Sequence, residues 1–235
     1  MIATVINAAA IIAGGFLGLL FGARLKPSCT ETIVKALSIA VMVIGITPAV
    51  KAANILTVVI CLVLGTALGE LLDIERRLDA LGHWLKVRFA GGDSAGTFTQ
   101  GFVTASLLFC IGSMAVTGSL EAGLQHHYRT LEAKALIDGV MAMTFSVTLG
   151  IGVVFSALPV LVYQGLITLL ASWAAPLLSQ AVITELSAVG GILLIATGLN
   201  MLELAPVRIR VGNMLPSILL PVVYMPVADW LTSLF

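Results

Sequence analysis

The segment Ser106–Gly123, SLLFCIGSMAVTGSLEAG, combines a sequence apolar enough for a bilayer with residues that break a helix. Gly112, Gly118 and Gly123 weaken a helix and expose its backbone. Four hydroxyl side chains that can rebind the exposed backbone lie in the same segment: Ser106, Ser113, Thr117 and Ser119. Because an unpaired backbone group in hydrocarbon costs several kcal/mol, irregular backbone is tolerated only inside protein or beside water. The segment therefore predicts a broken helix near residues 109 to 119, at a pore or binding site.

The composition is that of a membrane protein. Of the 235 residues, 59% are hydrophobic and 10% are charged, whereas charged residues make up about 25% of a soluble domain. Since a crossing takes about 20 apolar residues, the chain has room for about seven or eight crossings and no separate soluble domain. We predict an all-α, polytopic transmembrane helix bundle in the lipid bilayer, with residues 1–235 forming one membrane domain. The formal net charge of zero does not indicate a nucleic-acid partner.

Eight apolar segments follow one another along the chain: 2–22, 34–50, 54–72, 99–120, 136–157, 160–178, 186–202 and 211–228. The first segment has no basic residue before it, and Arg24 and Lys26 follow it. A cleaved signal peptide has the opposite order, so we predict an uncleaved first span with the N-terminus outside. Gly14, Gly18 and Gly22 recur every four residues in this span, which suits close helix contact within the chain or, alternatively, a dimer face in a homo-oligomer.

The residues between the third and fourth segments, 73–97, form an amphipathic pattern. Leu78, Leu81 and Leu85 recur at helical spacing, and charged residues occupy the rest of the helix surface. Together with Trp84, this pattern predicts a cytoplasmic amphipathic linker in the headgroup layer. The alternative is a helix that packs on the bundle or on a partner subunit.

A faint internal repeat suggests two halves, residues 1–120 and 135–235. Similar residues coincide at an offset of 134 positions: Ala8 with Ala142, Gly18 with Gly152, and Phe21 with Phe155. Chance similarity between apolar, glycine-rich helices is the alternative. The halves would be parallel if the fourth segment crosses the membrane and inverted if it is re-entrant. The basic residues divide between the two sides equally well in both topologies. The side of the C-terminus depends on whether the eighth segment crosses.

Asp138 is the most suggestive acidic residue. It lies one helical turn after Lys134 and is followed by a long run without charge. Such a carboxylate could bind a cation or carry a proton. Alternatively, it lies at the membrane interface near the start of the fifth helix, where the helix dipole and Lys134 would stabilise it.

Gln164 and Asn200 are deeper polar candidates. Each lies in apolar sequence and needs either a partner on another helix or a wet cavity. Asn7 and Asn213 are weaker cases of the same kind. The candidate transport path combines these residues with the broken segment: Gly112, Ser113, Thr117, Gly118, Asp138, Gln164 and Asn200.

No enzyme signature is visible in the sequence. It contains no His-Glu-x-x-His or phosphate-binding Gly-Lys-Ser/Thr motif. The three cysteines and three histidines do not form a disulfide framework or a metal-ligand pattern. We therefore predict a protein that is not an enzyme, with no catalytic residue, metal or cofactor.

Four stretches of the chain resemble the YqgA/YdfK-like family of bacterial inner-membrane proteins: Phe109–Gly123, Lys134–Gly139, Leu149–Val153 and Tyr163–Gly165. The resemblance covers nearly the whole chain. It implies a multi-pass protein of the bacterial inner (cytoplasmic) membrane, in a family described at most as candidate transporters. It implies no substrate and no catalytic residue.

Two hypotheses for function follow. The first is a transporter or channel for a small ion or polar solute, because irregular backbone and isolated polar groups occur in an otherwise apolar bundle. The alternative is a non-transporting membrane scaffold or regulatory protein that binds a partner through the amphipathic linker.

Overall fold

The computed structural model describes residues 1–22, 26–78, 80, 95–110, 113–203 and 207–232, and all regular structure in these ranges is helical. The helices are α1 (Ile2–Gly22), α2 (Pro27–Ala49), α3 (Ile55–Leu72), α4 (Ala95–Cys110), α5 (Ser113–Leu124), α6 (Arg129–Leu149), α7 (Gly152–Phe155), α8 (Ala157–Leu169), α9 (Ala171–Ala174), α10 (Gln180–Met201), α11 (Val211–Met214) and α12 (Pro216–Thr232). In the described part of the chain, six helical segments are long and apolar enough to cross a membrane, or seven if α4 and α5 form one span. The predicted all-α polytopic bundle is confirmed.

Helices α1 and α6 pack side by side in the same direction. Gly14 contacts Gly139, and Gly22 contacts Val147 further along both helices. A side chain at Gly14 or Gly22 would clash with a carbonyl oxygen of α6, so glycine is what allows the two backbones to approach. The glycine stripe thus serves contact within the chain, as the sequence predicted, and no second copy is needed to explain it.

Two further helix pairs are antiparallel, α2 with α10 and α3 with α11 and α12. Close backbone approaches mark both pairs: Gly45 with Gly191, Met42 with Gly198, Gly65 with Ser217 and Gly69 with Asn213. Since chain numbers rise along one helix while they fall along the other, the members of each pair run in opposite directions. Small residues therefore set the spacing of three of the main helix contacts of the bundle.

Helices α4 and α5 differ in direction by 57°. Near its start α4 packs at Gly101 on Leu149, the last residue of α6. Near its end α5 packs at Ala122 with Ala3 and with Leu131, close to the start of α6. The two helices together thus extend along α6 in the opposite direction. The bent pair fits either a broken crossing or a re-entrant segment.

Both predicted ends of the fifth segment are wrong. The fifth segment was expected over 136–157, but α6 begins at Arg129 and ends at Leu149. Gly150 follows with φ of +71°, a conformation that glycine adopts without strain, so the chain turns there and not near residues 156–159. Helices α7 and α8 come after this turn.

The predicted linker 73–97 falls mostly outside the described residues. Residues 74–78 are helical, and Leu78 packs against the core of the bundle. Residues 95–97 already belong to α4. Leu81, Trp84 and Leu85 lie outside the described part, so the position of the linker at the cytoplasmic surface stays a prediction, as does the division of the chain into halves.

Candidate functional site

Four polar side chains from three helices meet inside the bundle: Asn7 on α1, Lys134 and Asp138 on α6, and Gln164 on α8. The Lys134 ammonium group donates to both carboxylate oxygens of Asp138, at 2.8 and 2.6 Å. The Asn7 amide nitrogen donates to Asp138 Oδ2 at 2.9 Å and to Gln164 Oε1 at 3.2 Å. We call these four residues the buried polar cluster.

The buried polar cluster is closed off from the outside of the protein. Asn7 and Gln164 have no exposed surface, and the exposed fractions of Asp138 and Lys134 are 2% and 6%. Asp138 is the tenth residue of the 21-residue helix α6, about 14 Å from its start at 1.5 Å per residue. Asp138 therefore does not lie near the start of its helix, because α6 starts earlier than the sequence pattern indicated. The interfacial position considered for Asp138 stays a prediction. Its pairing with Lys134 is present.

The buried polar cluster also contains polar atoms without a partner among the described residues. These are the side-chain oxygen Oδ1 of Asn7, which is an acceptor, and the side-chain nitrogen Nε2 of Gln164, which is a donor. One turn away on the same two helices, the buried hydroxyl groups of Thr4 and Thr168 have no partner either. Since buried polar groups are normally hydrogen-bonded, water or a polar solute is the natural partner for these atoms.

The end of α4 lies at a second feature, a cavity of about 310 Å³. Cys110, the last residue of α4, lines it together with Ser106 and Tyr163. Cys110 interacts electrostatically with Lys134 and Asp138, so the cavity lies next to the buried polar cluster. Its other lining residues are apolar: Leu78, Phe102, Val103, Leu107, Pro159, Leu215, Ile218 and Leu219.

The structure brings only part of the predicted path together. Asp138 and Gln164 belong to the buried polar cluster. Thr117 and Gly118 lie on α5, where Gly118 packs against Leu131 of α6. Gly112 lies outside the described residues, and so does the side chain of Ser113, the first residue of α5.

Asn200 lies apart from the buried polar cluster. Its amide group makes two hydrogen bonds to the backbone of Ile209, at 2.8 and 2.9 Å, which close the turn after α10. It also lines a separate polar pocket of about 10 Å³ with Glu75, Gln100 and Arg208. This volume is about the minimum that a cavity needs to hold one water molecule.

Sequence reasoning gave too little weight to Asn7 and missed Glu185. Asn7 is the only amide in the first span, and this isolation was the available signal. Glu185 is fully buried in the second turn of α10, although the sequence placed the seventh segment after it. A lone acidic residue that directly precedes an apolar segment could have been considered as part of the helix.

Within the described ranges, no three His, Cys, Asp or Glu side chains come together as metal ligands would. The predictions that the protein binds no cofactor and is not an enzyme stay predictions.

Comparison with known proteins gives a consistent family assignment. The model of a family described as a protein of unknown function, DUF554, matches residues 2–226. The chain is 30% identical over 225 residues to the uncharacterized membrane protein YdfK of Bacillus subtilis, covering 94% of each chain. It is 32% identical over 218 residues to the uncharacterized protein YqgA of Escherichia coli, covering 92% of each chain. No solved structure matches the chain.

Proposed function

The chain belongs to the DUF554 family, and from the buried polar cluster we propose that it is a transporter or channel for a small ion or polar solute. It is a multi-pass membrane protein. The observation that carries the proposal is the Lys134–Asp138 ion pair, which is held between three helices by Asn7 and has unpartnered amide atoms beside it.

The energetics of the ion pair support a functional role. Replacing a buried pair by well-packed apolar residues is often neutral or stabilising by about 1 to 4 kcal/mol. A bundle selected for stability alone has no need of such a pair. Ionisable side chains inside membrane segments commonly mark ion pathways or proton relays. The Lys134–Asp138 pair is therefore a reasonable centre for a transport path.

The proposed path uses α4 and α5 as one discontinuous span. Helix α5 packs against α6 and α8, the helices that carry Asp138 and Gln164. In transporters, breaks in spans commonly lie at the substrate site, where exposed backbone groups can bind the solute. On this basis the path passes from the buried polar cluster along α5, and Asn200 contributes at the separate polar pocket near Arg208.

The proposed location is the bacterial inner membrane, with the N-terminus outside. The relative YdfK, which is named as a membrane protein, supports the membrane location. Since α1 precedes the basic residue Lys26 and the paired helix α6 runs parallel to it, the same orientation would apply to both helices.

Removal of the Asp138 carboxylate tests the proposal. In proteoliposomes, Asp138→Asn should reduce flux at least about tenfold, which corresponds to a loss of about 1.4 kcal/mol at the rate-limiting step. The probes are protons, Na⁺ and K⁺, followed with ion-sensitive dyes trapped in the vesicles, and small neutral solutes, followed by light scattering. Glu132→Gln is the matched control, because it removes an exposed carboxylate from the same helix.

A second variant separates transport from folding. Lys134→Met combined with Asp138→Leu removes both charges without leaving one unpaired, so the bundle should persist while flux is lost. Wild-type flux in Asp138→Asn would exclude the site, and flux no higher than in protein-free vesicles for every probe would exclude the function.

A further inference from the structure

Two spaces beside α4 adjoin each other, the cavity at the end of α4 and the polar pocket beside Asn200. Val103 lines both of them. Leu78 lines the cavity, and its Cδ1 atom would lie 3.1 Å from a Cβ atom at Gly212, which lines the polar pocket. We call the two spaces together the amphipathic recess, because it is polar at one end and apolar at the other.

The polar end of the amphipathic recess has hydrogen-bond donors at an exposed mouth. Arg208 is exposed and lines this end together with Gln100. Glu75 lines it as well, but its Oε2 atom already accepts the backbone N–H of Gly212 at 2.5 Å. Thr104 is fully buried there, and its hydroxyl oxygen has no hydrogen-bond partner among the described residues. Since arginine binds phosphate oxygens through parallel N–H groups, the mouth suits a phosphate group.

The apolar end is the cavity of about 310 Å³ between α4, α8 and α12. This volume is in the range of ligand sites, about 300 to 1,000 Å³, which are mostly apolar. Of its described lining side chains, only those of Ser106, Cys110 and Tyr163 carry a polar atom. A water molecule needs about 2 to 4 polar partners, so an apolar occupant suits this space better than water does. Leu219 of α12 is 58% exposed, so the cavity opens toward the surrounding lipid.

The amphipathic recess is as deep as one leaflet of a bilayer. Along α4 it extends from Gln100 to Cys110, which is about 15 Å at 1.5 Å per residue. The hydrocarbon core of a bilayer is about 30 Å thick, so one leaflet accounts for about 15 Å. The polar end lies where α10 ends and α11 begins, at one end of the bundle. A lipid with its head group at this level therefore has room for an acyl chain along α4.

We propose that the amphipathic recess binds one phospholipid, with the phosphate group beside Arg208 and one acyl chain in the cavity. A water molecule in the small pocket behind Arg208 would join the Thr104 hydroxyl group to the phosphate. The end of the acyl chain would lie beside Cys110, next to the buried polar cluster, and would separate that cluster from the bilayer. Any control of flux by the lipid rests on the proposed transport function, whereas lipid binding does not.

Native mass spectrometry of the full chain, with lipid added to the delipidated protein in detergent, tests the site. The probes are dioleoyl phosphatidic acid and dioleoylglycerol, which differ only in the phosphate group. Wild type should retain one phosphatidic acid molecule, with an affinity at least about tenfold higher than for dioleoylglycerol, because the phosphate accepts charge-assisted hydrogen bonds. Arg208→Gln should remove most of this difference, whereas Arg129→Gln, at an exposed arginine on α6, should preserve it.

Filling the cavity tests the position of the acyl chain. Ser106→Leu replaces a hydroxyl group that has no described partner by a larger apolar group, so the fold should be retained. Displacing about two methylene groups of the lipid should weaken binding about tenfold. Thr144→Leu is the matched control, because it enlarges an exposed side chain on α6. Equal affinity for the two lipids, wild-type affinity in Ser106→Leu, or an equal loss in Thr144→Leu would overturn the proposal.

A photoreactive lipid gives a second measurement that needs no variant. Phosphatidic acid with a diazirine at the end of one acyl chain is added to wild type in lipid nanodiscs and irradiated. The diazirine loses dinitrogen, and the resulting carbene inserts into a nearby X–H bond. Mass spectrometry should find the adduct at the deep end of the cavity, on Cys110 or Tyr163. No adduct on either residue would count against the site.

The lipid site and the transport function can fail separately. Binding and cross-linking need no transported solute, so a negative flux assay would leave the lipid site intact. A negative lipid assay would leave the flux assay of Asp138→Asn unaffected.

Discussion

Replacing Lys134 by methionine is expected to lower the free energy of unfolding by about 3 to 5 kcal/mol, the range for breaking a buried ion pair by removing one partner. Methionine fills a similar volume but leaves the Asp138 carboxylate with only the Asn7 amide as a donor. The carboxylate is then buried without a counter-charge. Reversible unfolding in mixed micelles, followed by circular dichroism, measures the change.

A matched control is available on α2, where Lys35 forms an ion pair of the same sequence spacing with Glu31 at 2.7 Å. The two side chains are 61% and 68% exposed. Water replaces the lost interaction there, so Lys35→Met should cost much less stability than Lys134→Met. Adding Asp138→Leu to Lys134→Met should recover most of the lost stability. Equal, small effects of Lys134→Met and Lys35→Met would show that the Asp138 carboxylate is not held in an apolar interior.

Replacing Gly14 by alanine is expected to cost about 2 to 3 kcal/mol, near the upper end for overpacking, because the added methyl group meets backbone. The Cβ atom would clash with the carbonyl oxygen of Gly139 and would lie 2.9 Å from its carbonyl carbon. Backbone cannot rotate away as a side chain can, so α1 and α6 must separate. The buried polar cluster should loosen as well, since Asn7 and Asp138 are on these two helices.

Gly165→Ala is the control for this prediction. Gly165 is also buried, but a Cβ atom there would have only the end of the Met1 side chain nearby, at 3.7 Å. Its replacement should leave stability unchanged or slightly raised, because alanine favours the helix by about 1 kcal/mol relative to glycine. Thermal denaturation monitored by fluorescence-detected gel filtration compares the two variants. A smaller loss for Gly14→Ala than for Gly165→Ala would contradict the close contact of α1 with α6.

The fold class could be predicted from the sequence because lipid imposes a simple requirement. Every span needs about 20 apolar residues with its backbone satisfied internally, so composition and segment length identify the bundle. The N-terminal boundary of α3 was also recognisable. Asn54, which directly precedes the helix, caps it because the Asn54 side chain accepts hydrogen bonds from the backbone N–H groups of Leu56 and Thr57. The end of α6 was not recognisable from the sequence, because apolar residues continue past Gly150. Only the backbone angle of this glycine shows the turn.

The candidate site was predictable only in part because its contacts join distant positions. The pairing of Lys134 with Asp138 follows from their spacing of four residues on one helix. The contribution of Asn7 depends on the packing of α1 against α6, which no local pattern specifies. Glu185 was missed for a different reason. Its burial depends on the turn before α3, and a single acidic residue at the end of an apolar segment looks solvent-exposed in sequence.

The placement of Asn7 in the first helix has a consequence for how the protein is made. Asn7 and its partner Gln164 are separated by 157 positions, so at about 5 to 20 residues per second the ribosome needs about 8 to 30 s to supply the second amide. Until then the Asn7 side chain lies in a nascent span without its final partners. The contacts of Asn7 with α6 and α8 can therefore form only late in synthesis, so completion of the buried polar cluster depends on the order and timing of insertion.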